Sequence, residues 1–179
     1  KPIVCVALMT LYEEGRFQLY TPAARFLPAL AKMRVLEVAP DGSERLADLA
    51  RPITVADLLT HTAGFSYSFL DSPASALYLE HAPVIGNSHL TLGELIANAC
   101  DLPLAYQPGS RWHYSIAIDV AAHLAEIIAD RPLRDLLQER IFEPLGMTDT
   151  DYGVPVGKRN LVMSMRGVAD ITTPGTTMM

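Results

Sequence analysis

The sequence predicts a predominantly α-helical chain that carries one small β-hairpin. Apolar residues follow Pro2 almost without interruption, which is typical of a buried helix. Residues 116–127 repeat apolar side chains at helical spacing, which predicts an amphipathic helix. Asp41-Gly42 separates two short extended stretches, as a hairpin turn does. Helices therefore dominate the predicted fold.

Composition restricts the kind of protein. The 179 residues are 50% hydrophobic and 19% charged, which is ordinary for a globular domain with a substantial core. The net charge of −6, without a cluster of Lys or Arg, argues against a nucleic-acid partner. No run approaches the roughly 20 apolar residues of a transmembrane helix. Cys5 and Cys100 lack metal-ligand spacing and are predicted to be free buried thiols. Small-molecule chemistry fits best, and the compartment and oligomeric state stay open.

The first predicted helix begins at Pro2. Proline lacks an N–H and is tolerated in the first helical turn, where amides have no intrahelical partner. The residues that follow are apolar up to Glu13-Glu14, so we expect this helix to be buried on most sides. Lys1 consequently lies in the opening turn.

Several short elements follow. Thr21 is predicted to cap a helical turn that runs through Leu27, with Pro22 at its first position. Residues 34–38 and 45–47 form the predicted hairpin. Three short helices are predicted further along the chain, at 55–59 behind Thr54, around 74–81 in a loop-rich stretch, and at 92–99 behind Thr91.

The helix after Tyr114 has two distinct faces. Its apolar stripe predicts packing, and Asp119, His123 and Glu126 share the opposite face. We interpret these three residues as a solvated face rather than metal ligands, because the sequence contains no His-Glu-x-x-His pattern. Pro132 is predicted to open the next helix, which residues 143–146 end.

Four strings occur in an order and spacing that together resemble the serine β-lactamase-related family. That family includes class C β-lactamases, D-alanyl-D-alanine carboxypeptidases and family VIII carboxylesterases. The strings are Lys1-Pro2, LLTHTAG at 58–64, QPGSRWHYS at 107–115 and FEPLGM at 142–147. The resemblance implies an α+β fold with a sheet domain and a helical domain. Residues 1–160 would be the helical part of a single incomplete domain, and residues 161–179 an unassigned tail.

The resemblance also implies catalytic roles. Lys1 matches the lysine of the family's Ser-x-x-Lys motif, and Tyr114 matches the tyrosine of its Tyr-x-Asn motif. A phenol and an ammonium can together relay the proton of a nucleophilic serine. That serine would stand three residues before Lys1, outside this sequence. The chain is therefore expected to be an internal piece, inactive alone, and no cofactor or metal is expected.

Two departures from the family pattern bear on substrate class. Ile116 stands where β-lactamases and peptidases of the family carry an amide that binds the substrate's amide, and isoleucine makes no such hydrogen bond. The family's third motif, Lys-Thr-Gly, has no match. We therefore predict an acyl-serine hydrolase that cleaves or transfers small-molecule carboxylic esters through an acyl-enzyme. A β-lactamase or D-alanyl-D-alanine carboxypeptidase acting on an amide, and a non-catalytic binding homologue, remain the alternatives.

Further residues of the second string are candidates for the substrate site. Trp112 and His113 have two open interpretations, in which they line the acyl pocket or simply pack. Ser115 is a candidate polar group of the pocket, and Ile116 would lie beside the substrate. For His61 we predict a structural role, because a histidine near a helix C-terminus can satisfy the last carbonyl groups.

Overall fold

The computed structural model describes residues 1–81 and 89–162, together with the backbone of two short strands at 167–168 and 177–178. The chain forms two compact units, Lys1–Thr148 and Asp149–Met179. The predicted boundary near residue 160, between the helical part of the domain and the tail, stays a prediction. The predicted tail, residues 161–179, lies largely outside the described residues.

The first unit is mainly helical with one hairpin, which confirms the predicted fold class. Two 3₁₀ turns follow the first helix, at Ala23–Arg25 and Pro28–Lys32, and one π-helical turn, Gln138–Phe142, continues the last α-helix. The α-helices are α1 (Pro2–Glu13), α2 (Val55–Leu59), α3 (Ser75–Glu80), α4 (Leu92–Cys100), α5 (Ala117–Ala129) and α6 (Leu133–Leu137).

The hairpin consists of β1 (Arg34–Val38) and β2 (Glu44–Asp48), which pair antiparallel with Leu36 opposite Leu46. The second strand extends one residue beyond the prediction at each end. On its other side, β1 bonds to Leu104, whose N–H donates to the Arg34 carbonyl at 2.8 Å. This bridge fixes the start of the segment that leads to Tyr114.

Polar caps explain where two of the helices begin. Thr54 and Thr91 each form a capping box with the acidic residue three positions later, as their sequence context predicts. The prediction for Thr21 was wrong, because Pro22 has an extended ψ of 122° and lies outside the helical turn. Thr21 Oγ1 instead accepts a hydrogen bond from the N–H of Gln18 at 3.0 Å.

Helix α5 is the centre of the core, and α1, α2, α4 and α6 pack against it. Eight residues of α5 are buried, among them Val120 and Leu124 of the predicted apolar stripe. The prediction was wrong for Ile127, which is 38% exposed. The expectation that α1 is buried on most sides was only partly right. Leu8 and Leu11 are fully buried, but Val6 is 53% exposed, since its neighbours in the first unit cover one face of the helix. Both cysteines are free thiols and only half-buried.

The second unit contains a 3₁₀ helix, Val156–Leu161, and the antiparallel strands β3 (Gly167–Val168) and β4 (Thr177–Met178). Within it, Lys158 donates to the carboxylate of Asp149. Among the described residues of the chain, no helix has both the length and the apolar character needed to cross a membrane.

Candidate active site

The opening turn of α1 holds the Lys1 ammonium against two other segments. Lys1 Nζ donates to Tyr67 Oη at 3.0 Å, to Asp119 Oδ2 at 3.1 Å and to the backbone carbonyl of Ser115 at 3.3 Å. Asp119 lies in the first turn of α5, where an acid is favoured by the helix dipole. Because α1 packs against α5, residues more than 110 positions apart meet at one ammonium group.

Two phenol rings flank this ammonium. Lys1 Nζ lies 5.4 Å from the ring centroid of Tyr114 and 5.6 Å from that of Tyr67, within the range of cation–π attraction. The two ring centroids are 5.4 Å apart. Tyr67 Oη also lies 3.4 Å from the Asp119 carboxylate, so its hydroxyl bridges the cation and the anion. The structure therefore brings the two predicted catalytic residues together and adds a second phenol.

The charges in this cluster set its protonation states. Partial burial by itself lowers the pKa of Lys1, but its hydrogen bond to Tyr67 and the charge of Asp119 outweigh burial and raise that pKa above its ordinary value. Burial raises the pKa of the Tyr67 phenol, against the effect of its hydrogen bond with Lys1. At neutral pH, Lys1 is therefore a cation and Tyr67 a neutral phenol.

Backbone pairing positions the segment that carries Tyr114. The N–H of His113 donates to the carbonyl of His61 at 2.9 Å, and the N–H of Ala105 donates to the carbonyl of Gly64 at 2.8 Å. Gly64 has φ +95°, and a Cβ there would lie 2.0 Å from the carbonyl oxygen of Tyr106. Only glycine allows this close approach. The glycine that ends the LLTHTAG string therefore holds that string against the extended segment before Tyr114.

A chain of hydroxyl groups secures the loop that carries Tyr67. His113 Nε2 lies 2.9 Å from Ser66 Oγ, which lies 2.9 Å from Ser72 Oγ, which in turn lies 2.8 Å from Ser75 Oγ. Ser66 is fully buried. Burial, together with nearby positive charge, lowers the pKa of His113, so the imidazole is neutral at neutral pH. His113 thereby fixes the residue next to Tyr67 rather than facing Lys1.

His61 lies beside the ammonium rather than only closing α2. Its ring centroid is 5.0 Å from that of Tyr114 and 6.4 Å from that of Trp112. Its Nδ1 lies 3.4 Å from Ser115 Oγ. Burial and the charge of Lys1 both lower the pKa of His61, which leaves it neutral at neutral pH. The residue has φ 57°, an uncommon backbone conformation outside glycine.

The remaining predicted site residues occupy different environments. Trp112 is 66% exposed at the rim of the cluster. Ser115 is buried, and its hydroxyl accepts from the N–H of Ala117 at 3.2 Å at the start of α5. Ile116 is 2% exposed and packs in the main hydrophobic core. The structure thus gathers Trp112, Tyr114 and Lys1 at the surface and turns Ile116 inward.

Sequence reasoning missed two members of the cluster. Tyr67 stands in a loop without periodicity, and no pattern indicated its contact with Lys1. Asp119 was interpreted as part of a solvated helix face, although its position in the first turn after the QPGSRWHYS string was a usable signal. The other two residues of that face interact locally, since Glu126 accepts from His123 Nδ1 at 2.9 Å and from the N–H of Leu133 at 2.9 Å.

None of the acidic, histidine or cysteine groups within the described part of the chain cluster as three or more potential metal ligands. What the Lys1 cluster offers instead is a cation, two phenols and a carboxylate at the start of a helix. These groups can hold and move a proton and can stabilise a developing negative charge.

The chain has the β-lactamase/transpeptidase-like fold of the serine β-lactamase-related proteins. Residues 1–175 match the model of the Beta-lactamase family. The chain belongs to that family, which confirms the resemblance of the four strings.

The chain is similar to curated relatives of known and unknown activity. It is 37% identical over 166 residues to an uncharacterized protein of Mycobacterium tuberculosis, covering 92% of this chain and 40% of that protein. It is 34% identical over 162 residues to the lovastatin esterase of Penicillium rubens, covering 90% of this chain and 39% of that enzyme. The chain thus spans about two fifths of the length of these relatives.

The fold is similar to that of a solved synthase. The structure of simvastatin synthase from Aspergillus terreus superposes with a TM-score of 0.67 and 32% sequence identity. The match covers 88% of this chain and 37% of the synthase chain. Proteins named as an esterase and as a methylbutanoyltransferase, the latter the monacolin J acid methylbutanoyltransferase of Aspergillus terreus, are both similar to this chain.

Proposed function

We propose that this chain provides the proton-transfer half of an acyl-serine hydrolase that cleaves small carboxylic esters. The observation that carries the proposal is the Lys1 ammonium, hydrogen-bonded to Tyr67 and lying over the ring of Tyr114. Its similarity to the lovastatin esterase supports an ester as the substrate. The core position of Ile116 favours an ester over a β-lactam or peptide, because no side-chain amide stands there to bind a substrate amide.

The proposed nucleophile is a serine that precedes Lys1 by three residues in the complete protein. Two serines near the cluster are poor alternatives. Ser115 and Ser66 are both buried, and their hydroxyl groups hold structural contacts with His61 and His113. A serine one helical turn before Lys1 would stand beside the ammonium and the rings, where a proton acceptor and a stabilising charge are both at hand.

In the proposed reaction the serine Oγ forms a bond to the ester carbonyl carbon, and the carbonyl oxygen takes up the negative charge. The serine proton passes to the Tyr114 oxygen, which acts as a phenolate beside the cationic Lys1. Because its raised pKa keeps Lys1 cationic, we assign it the role of stabilising negative charge on the Tyr114 oxygen and the reacting oxygen. The C–O bond of the ester then breaks, and the alcohol leaves with the proton. Water attacks the acyl-enzyme and releases the acid.

Acyl transfer to an alcohol is the second candidate. It uses the same acyl-enzyme, which an alcohol attacks in place of water. Similarity to the monacolin J acid methylbutanoyltransferase of Aspergillus terreus favours this candidate. The ratio of ester exchange to hydrolysis, measured with added alcohol, decides between the two.

The test uses the complete protein encoded by the gene. We expect it to hydrolyse p-nitrophenyl butyrate and to leave nitrocefin intact, and a fluorophosphonate probe is expected to label a serine three positions before Lys1. Residues 1–179 expressed alone are expected to be inactive with both substrates. Cleavage of nitrocefin would favour a β-lactamase, and no turnover with no labelling would favour a non-catalytic homologue.

A further inference from the structure

Five aromatic rings form a continuous row through the candidate active site. We call it the aromatic strip, and its members in order are Phe69, Tyr67, Tyr114, His61 and Trp112. Successive ring centroids are 4.8, 5.4, 5.0 and 6.4 Å apart. These spacings lie within or near the range of direct aromatic contact. The strip is therefore one surface rather than a set of separate rings.

The exposure of the strip changes along its length. Phe69 at one end is 69% exposed, and Trp112 at the other end is 66% exposed. Tyr67, in contrast, is buried. The Lys1 ammonium lies over Tyr67 and Tyr114 in the middle of the strip. The reactive centre is thus flanked on both sides by large apolar rings that face outward.

Exposed rings of this kind are favourable positions for apolar groups of a ligand. A ligand group that covers a large aromatic side chain removes apolar surface from water, which stabilises the complex. The strip adds little net charge to the site, because His61 is neutral and the neighbouring Lys1 ammonium is paired with the Asp119 carboxylate. An uncharged ligand therefore matches this surface better than an ionic one.

From this arrangement we infer that the substrate is a neutral ester with an apolar group on each side of the scissile bond. This inference rests on the proposed function, which puts the ester carbonyl at Lys1. The acyl chain and the alcohol group extend from that carbonyl in different directions. One of them covers the Phe69 end of the strip and the other covers the Trp112 end, so each end selects for a different half of the substrate.

A binding experiment tests the strip without requiring turnover. The ketone 5-nonanone has a carbonyl between two butyl groups and no leaving group. Its addition to the complete protein is expected to produce a saturable change in tryptophan emission, which is absent in the Trp112→Phe variant. The Phe69→Ala variant is expected to raise the Kd at least about fivefold, because it removes one apolar contact. Tyr20→Ala, which removes an 81% exposed ring outside the strip, serves as the matched control and leaves the Kd within twofold.

A kinetic experiment tests the two-sided assignment. The kcat/KM values for ethyl acetate, ethyl hexanoate and hexyl acetate give one ratio for the acyl chain and one for the alcohol. Both ratios are expected to favour the longer group by about tenfold or more. Phe69→Ala is expected to abolish one preference and Trp112→Ala the other, while Tyr20→Ala keeps both.

The outcomes separate this inference from the proposed function. If no ester is cleaved, the proposed function is overturned. If the three esters are cleaved equally well, or if both alanine variants lose the same preference, the two-sided substrate is overturned and the esterase stands. The absence of a saturable response to 5-nonanone would likewise overturn the strip as a binding surface.

Discussion

Two pairs of a cation and a carboxylate in the first unit, Arg51–Asp57 and Lys1–Asp119, differ in the surroundings of their carboxylates. Arg51 binds Asp57 through two hydrogen bonds of 2.7 Å, and the Asp57 side chain is only 7% exposed. Lys1 binds Asp119 through one bond of 3.1 Å, and the Asp119 side chain is 44% exposed. The Asp57 carboxylate is enclosed, whereas the Asp119 carboxylate is open to solvent beside aromatic rings. We call Arg51–Asp57 the enclosed pair and Lys1–Asp119 the open pair, after their carboxylates.

The difference lies in how completely each carboxylate is satisfied. Asp57 also accepts from the N–H and hydroxyl of Thr54 and from the hydroxyl of Thr62. These partners outweigh the effect of burial and lower the pKa of Asp57 to about 2. Asp119 has only Lys1 and Tyr67 as side-chain partners in the described structure. A carboxylate with all its hydrogen bonds made within the protein holds the structure together, whereas the Asp119 carboxylate, with fewer partners, leaves Lys1 available to a reacting molecule.

The largest effect is expected from removing the cation of the open pair. In the complete protein, Lys1→Ala is expected to lower kcat/KM for p-nitrophenyl butyrate by about a thousandfold or more, because the proton relay and its positive charge are lost. The matched control is Lys32→Ala, which removes an exposed lysine of a 3₁₀ turn and should leave kcat/KM unchanged. A Lys1→Ala enzyme within tenfold of wild type would refute the role of the open pair.

The enclosed pair should affect stability rather than chemistry. Asp57→Asn is expected to lower the free energy of unfolding by about 2 kcal/mol, because it leaves Arg51 without its partner and weakens the cap of α2. Urea denaturation of the complete protein measures this change. Glu37→Gln breaks the exposed pair with Arg45 instead and should lower the free energy of unfolding by less than about 0.5 kcal/mol. Equal losses in the free energy of unfolding for both variants would mean that burial of the carboxylate does not strengthen the pair.

A smaller effect is expected from the phenol that bridges the open pair. Tyr67→Phe removes the hydroxyl bonded to Lys1 and is expected to lower kcat about tenfold. This bond raises the pKa of Lys1, so its loss should lower that pKa and shift the alkaline limb of the pH–rate profile to lower pH. Tyr12→Phe is the control, since Tyr12 contacts Phe17 away from the site. An unchanged alkaline limb would mean that Tyr67 does not raise the pKa of Lys1.

The smallest expected effect is the acid sensitivity of the enclosed pair. The pKa of Asp57 is about 2 in the folded protein against 3.8 as its ordinary value. Its ionised form therefore contributes stability above pH 3.8, and that contribution is lost as the pH falls towards 2. The Tm of wild type should fall more steeply over this interval than the Tm of Asp57→Asn. Parallel Tm curves for the two proteins would contradict the depressed pKa.

The same contrast explains which parts of the molecule were predictable. The capping boxes of Thr54 and Thr91 depend on residues three positions apart, so the sequence alone indicates them. The hairpin and the start of α1 likewise follow from Asp41-Gly42 and Pro2. The Arg51–Asp57 pair joins residues six positions apart. These features are local, and short-range hydrogen bonding and backbone preference determine them.

The Lys1 cluster was predictable only in part. Lys1 and Tyr114 were identified because they stand in strings that resemble a known family. Tyr67 has no such string, and its place at the ammonium depends on Ser66, His113 and the backbone pairing around Gly64. Asp119 has the helical period of a surface residue, and only the packing of α1 on α5 turns it into a partner of Lys1.

By itself, then, the sequence determined the main helices, the caps at Thr54 and Thr91, the hairpin and the chemical identity of the lysine and the tyrosine. The packing of distant segments decided which hydroxyl binds the ammonium, which carboxylate neutralises it and which rings surround it. The physical reason is the distance along the chain over which each interaction acts. Local propensity acts over a few residues, whereas the site joins positions 1, 67, 114 and 119, which meet only after the core around α5 has formed.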